Sequence, residues 1–194
     1  MSSKPQLFVI RHGETEWSLS GRHTSHTDLP LTPHGEDQAR QSGAYLRTFP
    51  LDRALTSPRQ RARRTGELAA LGVPVTIDPD LAEWDYGDYE GRTSKDIEAE
   101  RPGWLLFRDG CPGGETAQQV SDRADRLIAR IRQEPGNVAV FSHGHFGCVL
   151  GARWIGLPVI DAQHLTLAPA SLSVLGYSSS HPEVSVITQW NRGP

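Results

Sequence analysis

Three short stretches of this chain place histidine, arginine or serine immediately after a short apolar run. Arg11-His12-Gly13-Glu14-Thr15 follows Leu7-Phe-Val-Ile10, and Ser57-Pro-Arg59-Gln-Arg61-Ala-Arg63-Arg64 follows Arg53-Ala-Leu-Thr56. Ser142-His143-Gly144-His145 follows Val138-Ala-Val-Phe141. Brought into one crevice, such side chains make a site for a phosphate dianion, and Gly13 and Gly144 let the backbone approach it closely. Each stretch alone has a plainer reading. A histidine after a strand is commonly a helix cap, and the arginine run could be the solvated face of a helix. His143 and His145, with Cys148 nearby, imitate a zinc pair but have no adjacent carboxylate and no clear third ligand. No metal and no cofactor are expected. Arginine is a background residue here, since Lys4 and Lys95 are the only lysines among 20 basic residues.

The elements that must position these clusters follow from the apolar pattern. Leu7 to Ile10 and Val138 to Phe141 read as buried strands. Arg53 to Thr56 is a weaker strand, and Val73 to Ile77 is pushed toward an edge by its proline. Leu172 to Tyr177 and Val184 to Trp190 are expected as late strands, the last partly polar. Thr32-Pro33 opens a helix to about Leu46, and Ser57-Pro58 gives the same start signal for a helix to about Leu71. Ala117, Val120, Ala124, Leu127 and Ile131 step by three and four along an amphipathic helix. A further helix follows Gly144, through Cys148 and Ala152 to Ile155. This alternation predicts an α/β fold, a three-layer sandwich with a mostly parallel sheet and helices on both faces. Residues 87 to 114, with a helical candidate near Ile97 and the run Trp104-Leu-Leu-Phe107, read as a small cap excursion on a single domain spanning 1–194. In such a sheet the carboxyl ends of the strands share one crevice, so the three clusters should meet there.

Composition narrows the function classes. A net charge of −3 and a pI near 6.2 give no electrostatic case for nucleic acid or an anionic membrane. No apolar run approaches a membrane span, and Leu7 to Ile10 is too short for a signal h-region. Two cysteines without a CxxC pair argue against a disulfide scaffold, so a cytoplasmic setting is expected.

The motifs together carry a resemblance. Leu7-Phe-Val-Ile-Arg-His-Gly-Glu-Thr15 resembles the signature of the histidine phosphatase superfamily, with its phosphoglycerate-mutase-like fold. Thr56-Ser-Pro-Arg-Gln-Arg-Ala-Arg-Arg-Thr65 is similar to the second motif of that family, in which Arg61 would bind phosphate. Leu81-Ala-Glu83 with Tyr86-Gly87 matches the segment bearing the acid/base carboxylate, and Ser142-His143-Gly144 matches the second catalytic histidine. Glu83-Trp-Asp-Tyr-Gly-Asp-Tyr-Glu-Gly91 and Arg108-Asp-Gly-Cys-Pro-Gly-Gly-Glu-Thr116 resemble a subgroup containing small bacterial acid phosphatases and the sedoheptulose-bisphosphatase type.

The resemblance implies a phosphomonoesterase acting on small phosphorylated metabolites, such as sugar or carboxylate phosphates, without a metal. It implies His12 as the nucleophile that becomes a phosphohistidine, its tautomer set by a carbonyl near Gly13. It implies Arg11, Arg61 and a protonated His143 around the phosphoryl oxygens, with Glu83 as acid and then base. Ser18, Thr24, Ser57 and His145 are expected to add substrate contacts, although mutases of the family usually carry Asn where Ser18 stands. Two alternatives remain: a phosphoglycerate mutase using the same phosphohistidine, or a non-catalytic phosphate-binding regulator. The chain between Glu83 and His143 is short, with Arg92, Arg101 and Arg108 scattered through it, and this favours hydrolysis. Partners are expected to be limited to the phosphate ester and, along the late edge strand, a second copy in a homodimer.

Overall fold

The computed structural model describes residues 4–194. Six strands form one sheet in the order β3-β2-β4-β1-β5-β6: β1 (Leu7–Arg11), β2 (Arg53–Thr56), β3 (Val75–Ile77), β4 (Val138–Ser142), β5 (Leu172–Tyr177) and β6 (Ser185–Arg192). The first four run parallel, while β5 is antiparallel to β1 and β6 antiparallel to β5. Only β5 therefore opposes the rest. The proline-bearing segment shortens to β3 and lies at one edge, as expected, where Pro74 still supplies a carbonyl to Ala54 N–H. At the other edge lies β6.

Strand alternation divides the core in two. Leu7 and Val9 of β1 point to one face with Val138 and Val140 of β4. There they pack on α6 (Ala117–Gln133) and α7 (Gly144–Trp154) through Val120, Leu127, Phe146 and Val149. Phe8, Ile10, Ala139 and Phe141 point to the other face, onto α2 (Pro33–Leu46) and α3 (Gln60–Ala69) through Leu46, Ala62 and Ala69. That is the expected three-layer sandwich.

Local signals fix most element ends. Thr32 caps α2 with Pro33 at its first position, and Thr116 caps α6 in a reciprocal box with Gln119. A short helix α1 (Glu16–Ser20), which no apolar period announces, is closed by the capping box Thr15–Ser18 and by Gly21 at φ 69°. The excursion is built from α4 (Ser94–Glu100) and α5 (Leu106–Asp109), preceded by a 3-10 turn at Gly87–Tyr89. One expected start is corrected. Helix α3 begins at Gln60, after an Arg59 cap position with no side-chain cap bond; the Ser57 hydroxyl accepts Arg59 N–H at 3.3 Å in the turn before it and meets His143 Nε2 at 2.7 Å.

Candidate active site

Pairing register brings the three clusters together. Arg11 lies opposite Ser142 and Thr56 opposite Phe141, so His12, Ser57 and His143 leave the sheet side by side. The backbone continues the ladder one step further, His12 N–H donating to Ser142 O at 2.9 Å and Ser57 N–H to Phe141 O at 2.9 Å. The His12 and His143 rings meet edge to face, with centroids 5.2 Å apart. Both are almost wholly buried.

The tautomer of His12 follows from its partner. Nδ1 lies 2.7 Å from Gly13 O, and a carbonyl only accepts, so Nδ1 carries the proton and Nε2 keeps its lone pair. Burial, followed by the charges of Arg61 and Arg11, holds this imidazole well below the usual histidine range, so it is neutral over the physiological span. The loop bearing it is pinned by Gly13 N–H to Thr65 Oγ1 at 3.0 Å and by Ala170 N–H to His12 O at 3.0 Å.

His143 sits at the N-cap of α7 with Nε2 2.7 Å from Ser57 Oγ, while its buried Nδ1 has no protein partner. Without an anion this ring is also neutral: burial, Arg61, His12 and Arg11 all push its pKa well below the ordinary value. A dianion bound beside this ring would favour its protonated form.

Arg11 donates through Nη1 to Leu167 O, and Arg61 donates to the carbonyls of Thr24, Ser25 and Thr27 at 2.9, 3.3 and 3.0 Å. The Nε atoms of both are buried without a partner. Buried nitrogens without a protein partner thus remain on Arg11, Arg59, Arg61 and His143, and the three arginine charges all act on the His143 ring. An oxyanion would satisfy them.

Glu83, 6% exposed, accepts three backbone N–H bonds: Trp84 and Phe146 on Oε1 at 2.9 and 2.8 Å, and His145 on Oε2 at 3.1 Å. The amino end of α7 is thus turned to this carboxylate, a use of the helix terminus that no spacing in the sequence announces. Asp85, the other carboxylate of the segment, accepts Gly87 N–H at 3.0 Å and pairs with His26 at 3.1 Å. Burial would raise its pKa, but these two partners outweigh that and hold it below the ordinary value.

A cavity of about 450 Å³ opens over these groups, lined by Arg11, His12, Glu83, Gly144, His145, Ser18 and Thr24 among others. Arg61, Ser57 and His143 stand behind its wall with no exposed surface. Ser18 contributes to the wall while its hydroxyl holds the α1 cap, and Thr24 Oγ1 donates to Arg22 O at 2.9 Å. His145 Nδ1 lies 2.6 Å from the Tyr86 hydroxyl. Burial, and then Glu83, holds Tyr86 un-ionised.

Sequence reasoning missed part of this wall. His23, a lone loop histidine without any motif, is buried against Tyr86 at 4.6 Å and His145 at 5.6 Å between ring centroids. Burial lowers both histidines to about 4. Gln163, Leu165, Thr166 and Leu167, from a segment that carries no motif, close the opposite side. Of Trp104 to Phe107, only Phe107 lines the cavity; Trp104 and Leu106 are core, and Leu105 is exposed. The Cys148 thiol is pushed up to about 12 by burial and Glu83, which leaves it un-ionised. Among the described residues no group of three or more His, Cys, Asp or Glu is placed to hold a metal.

The family model described as the histidine phosphatase superfamily (branch 1) matches residues 7–190. An acid phosphatase of Mycobacterium tuberculosis is 39% identical over 186 residues, covering 94% of this chain and 91% of that protein. A sedoheptulose 1,7-bisphosphatase of Saccharomyces cerevisiae is 41% identical over 191 residues, covering 81% and 70%. A probable phosphoglycerate mutase of Salmonella choleraesuis is 34% identical over 186 residues, covering 90% and 86%. The solved structure of a functionally characterised Mycobacterium tuberculosis open reading frame superposes with a TM-score of 0.92 at 37% identity, over 97% of this chain and 98% of that one. The chain belongs to the histidine phosphatase superfamily. It is an enzyme of the phosphatase kind, with the phosphohistidine chemistry typical of that family.

Proposed function

We propose that the chain is one catalytic domain that hydrolyses small phosphate monoesters through a phosphohistidine on His12, with the 87–114 excursion as its cap. The observation that carries this reading is the free Nε2 of a neutral, buried His12 that packs on His143 and feels the charges of Arg61 and Arg11, three residues that each keep an unpartnered buried nitrogen. Nε2 attacks phosphorus in line, the P–N bond forms and the P–O bond to the leaving group breaks. Monoester hydrolysis is among the slowest uncatalysed reactions, so the charge spread over the equatorial oxygens is where most stabilisation must act. Glu83, as the carboxylic acid, gives its proton to the departing alkoxide. Water then attacks phosphorus, Glu83 takes its proton back, the P–N bond breaks and inorganic phosphate leaves with His12 restored. Splitting one hard displacement into two is the gain from the covalent step.

Hydrolysis rather than transfer is supported by the excursion. None of Arg92, Arg101 and Arg108 lines the cavity; Arg92 pairs with Glu100 at 2.7 Å and Arg108 with Asp109 at 2.8 Å. Of the basic residues outside the phosphate site, only Arg22 lines the cavity, so a clamp for a retained intermediate would rest on that one side chain. Around the leaving group stand neutral polar and aromatic groups (Tyr86, His145, His23, Thr24, Phe107), which suits a small hydroxylated metabolite. Two buried free thiols, Cys111 and Cys148, suit a reducing, cytoplasmic compartment. No described helix is long and apolar enough to cross a membrane.

A panel of phosphomonoesters assayed for released phosphate in excess chelator tests the reading. We expect turnover on sugar phosphates, with 3-phosphoglycerate and a sugar bisphosphate included to expose any mutase reaction. Isomerised 3-phosphoglycerate without phosphate release would overturn hydrolysis in favour of transfer, and activity abolished by chelator would overturn the metal-free mechanism.

A further inference from the structure

One large buried charge is not used by this mechanism. Arg123, on α6, is 8% exposed and does not line the cavity, yet every nitrogen of its guanidinium is engaged. Nε and Nη2 hold the Glu115 carboxylate at 2.9 and 2.7 Å. Nη1 donates to the carbonyls of Asp80 and Ala82 at 2.8 and 2.7 Å, and Nη2 reaches the Glu83 carbonyl at 3.4 Å. The guanidinium lies over the Phe146 ring, 4.2 Å from its centroid, and Phe146 N–H is itself a donor to the Glu83 carboxylate at 2.8 Å. Glu115 grips the other flank: Oε2 accepts Asp85 N–H at 2.9 Å, and its carbonyl accepts Trp84 Nε1–H at 2.9 Å. One ion pair thus holds the chain on both sides of Glu83 and the α7 residue that Glu83 binds.

We propose that Arg123, clamped by Glu115, is a positioning residue for the general acid, fixing the Glu83 segment against the start of α7. The proposal rests on the reading of Glu83 as that acid. A guanidinium presents five donors in a rigid fork, so it sets the relative places of Asp80, Ala82, Glu83 and Glu115 at once. Lysine, a single flexible ammonium, cannot reproduce that. Because the pair is internally neutralised and outside the cavity, its effect on the reaction is geometric. Misplacing a catalytic group by about 1 Å costs on the order of 10²-fold. That loss falls on substrates whose leaving group needs the proton.

The test compares kcat/KM on an alkyl (sugar) phosphate and an aryl phosphate for wild type, Arg123→Lys, Glu115→Gln and Glu83→Gln, with thermal denaturation of each. Arg123→Lys should lose about 10- to 100-fold on the alkyl ester and less than about threefold on the aryl ester. Inhibition by inorganic phosphate should stay within about threefold of wild type, since Arg11, His12 and His143 are untouched. Glu115→Gln, which keeps the side chain's size, should show the same selectivity to a smaller degree and serves where Arg123→Lys is poorly folded. Equal losses on both esters, or none, in variants that fold while Glu83→Gln is selective, would overturn the positioning role alone. If Glu83→Gln itself shows no selectivity, the acid assignment fails, and this inference with it.

Discussion

At the scale of single residues, the site depends on which groups are neutral and which are charged. The proposed nucleophile role of His12 rests on Gly13 O, which fixes its proton on Nδ1, and on burial beside Arg61 and Arg11, which keeps it unprotonated. The Glu83 and Asp85 carboxylates differ in the same concrete way. Glu83 faces the cavity, whereas Asp85 is spent on Gly87 N–H and His26. Glu83→Gln should therefore cost alkyl phosphates about 10²–10⁴-fold in kcat/KM and aryl phosphates far less, since an aryl oxide leaves with little proton assistance. Asp85→Asn should leave the ratio between the two classes unchanged, and a selective loss there would move the acid role to Asp85. Much of this scale was legible beforehand, because Arg11, His12, Arg61, Glu83 and His143 sit in motifs. His23 and the backbone of Leu167 were not. A lone buried histidine and a carbonyl in an unpatterned segment acquire their meaning only from tertiary contact.

At the scale of elements, the strand ends and the helix starts are coupled through glycine. A Cβ on Gly13 would come within 2.3 Å of Gly35 O, and one on Gly35 within 2.2 Å of Glu14 O, so α2 packs directly on the loop that carries His12. Thr32 N–H donating to Glu14 O at 2.9 Å closes the same contact. Gly35→Ala should wedge α2 away from that loop, destabilising by about 1–3 kcal/mol, the usual cost of overpacking. It should also lower kcat/KM at least about tenfold. Gly193→Ala, where no atom outside the chain neighbours lies within 4 Å, should change neither. Denaturant unfolding and steady-state kinetics on the two variants check this. The sequence made the strands and the proline- or threonine-started helices readable, since periodicity and caps are local signals. It placed the start of α3 too early by taking Ser57-Pro58 as cap and first turn, whereas the Ser57 hydroxyl meets His143 at the start of α7. Helix α1 escaped notice because five residues with no buried side chain leave no apolar period.

For the whole molecule, the site imposes a pH dependence on stability. His12, His143, His23 and His145 are all held below the ordinary histidine value, with burial the largest cause in each. Each folded-state pKa thus lies below that of the unfolded chain. Below about pH 6.5 the unfolded chain binds more protons, so stability is fully present above that pH and is lost as pH falls toward 4. Each such histidine can contribute up to about 1.4 kcal/mol per pH unit in that window. Tm should therefore fall by at least about 4 °C between pH 7 and pH 5. The double variant His23→Phe/His145→Asn should flatten that dependence. A Tm unchanged over the interval in wild type would contradict the neutral assignment of these rings.

Rapid-quench trapping of the phosphoenzyme bears most directly on the central claim. Wild-type protein mixed with a labelled phosphomonoester and quenched within one turnover should carry acid-labile, alkali-stable label that peptide mapping places on His12. His12→Asn should carry none and, with its fold intact, should have lost turnover. Label on any other residue would contradict the account. So would turnover in His12→Asn within about tenfold of wild type, a barrier change of only ~1.4 kcal/mol.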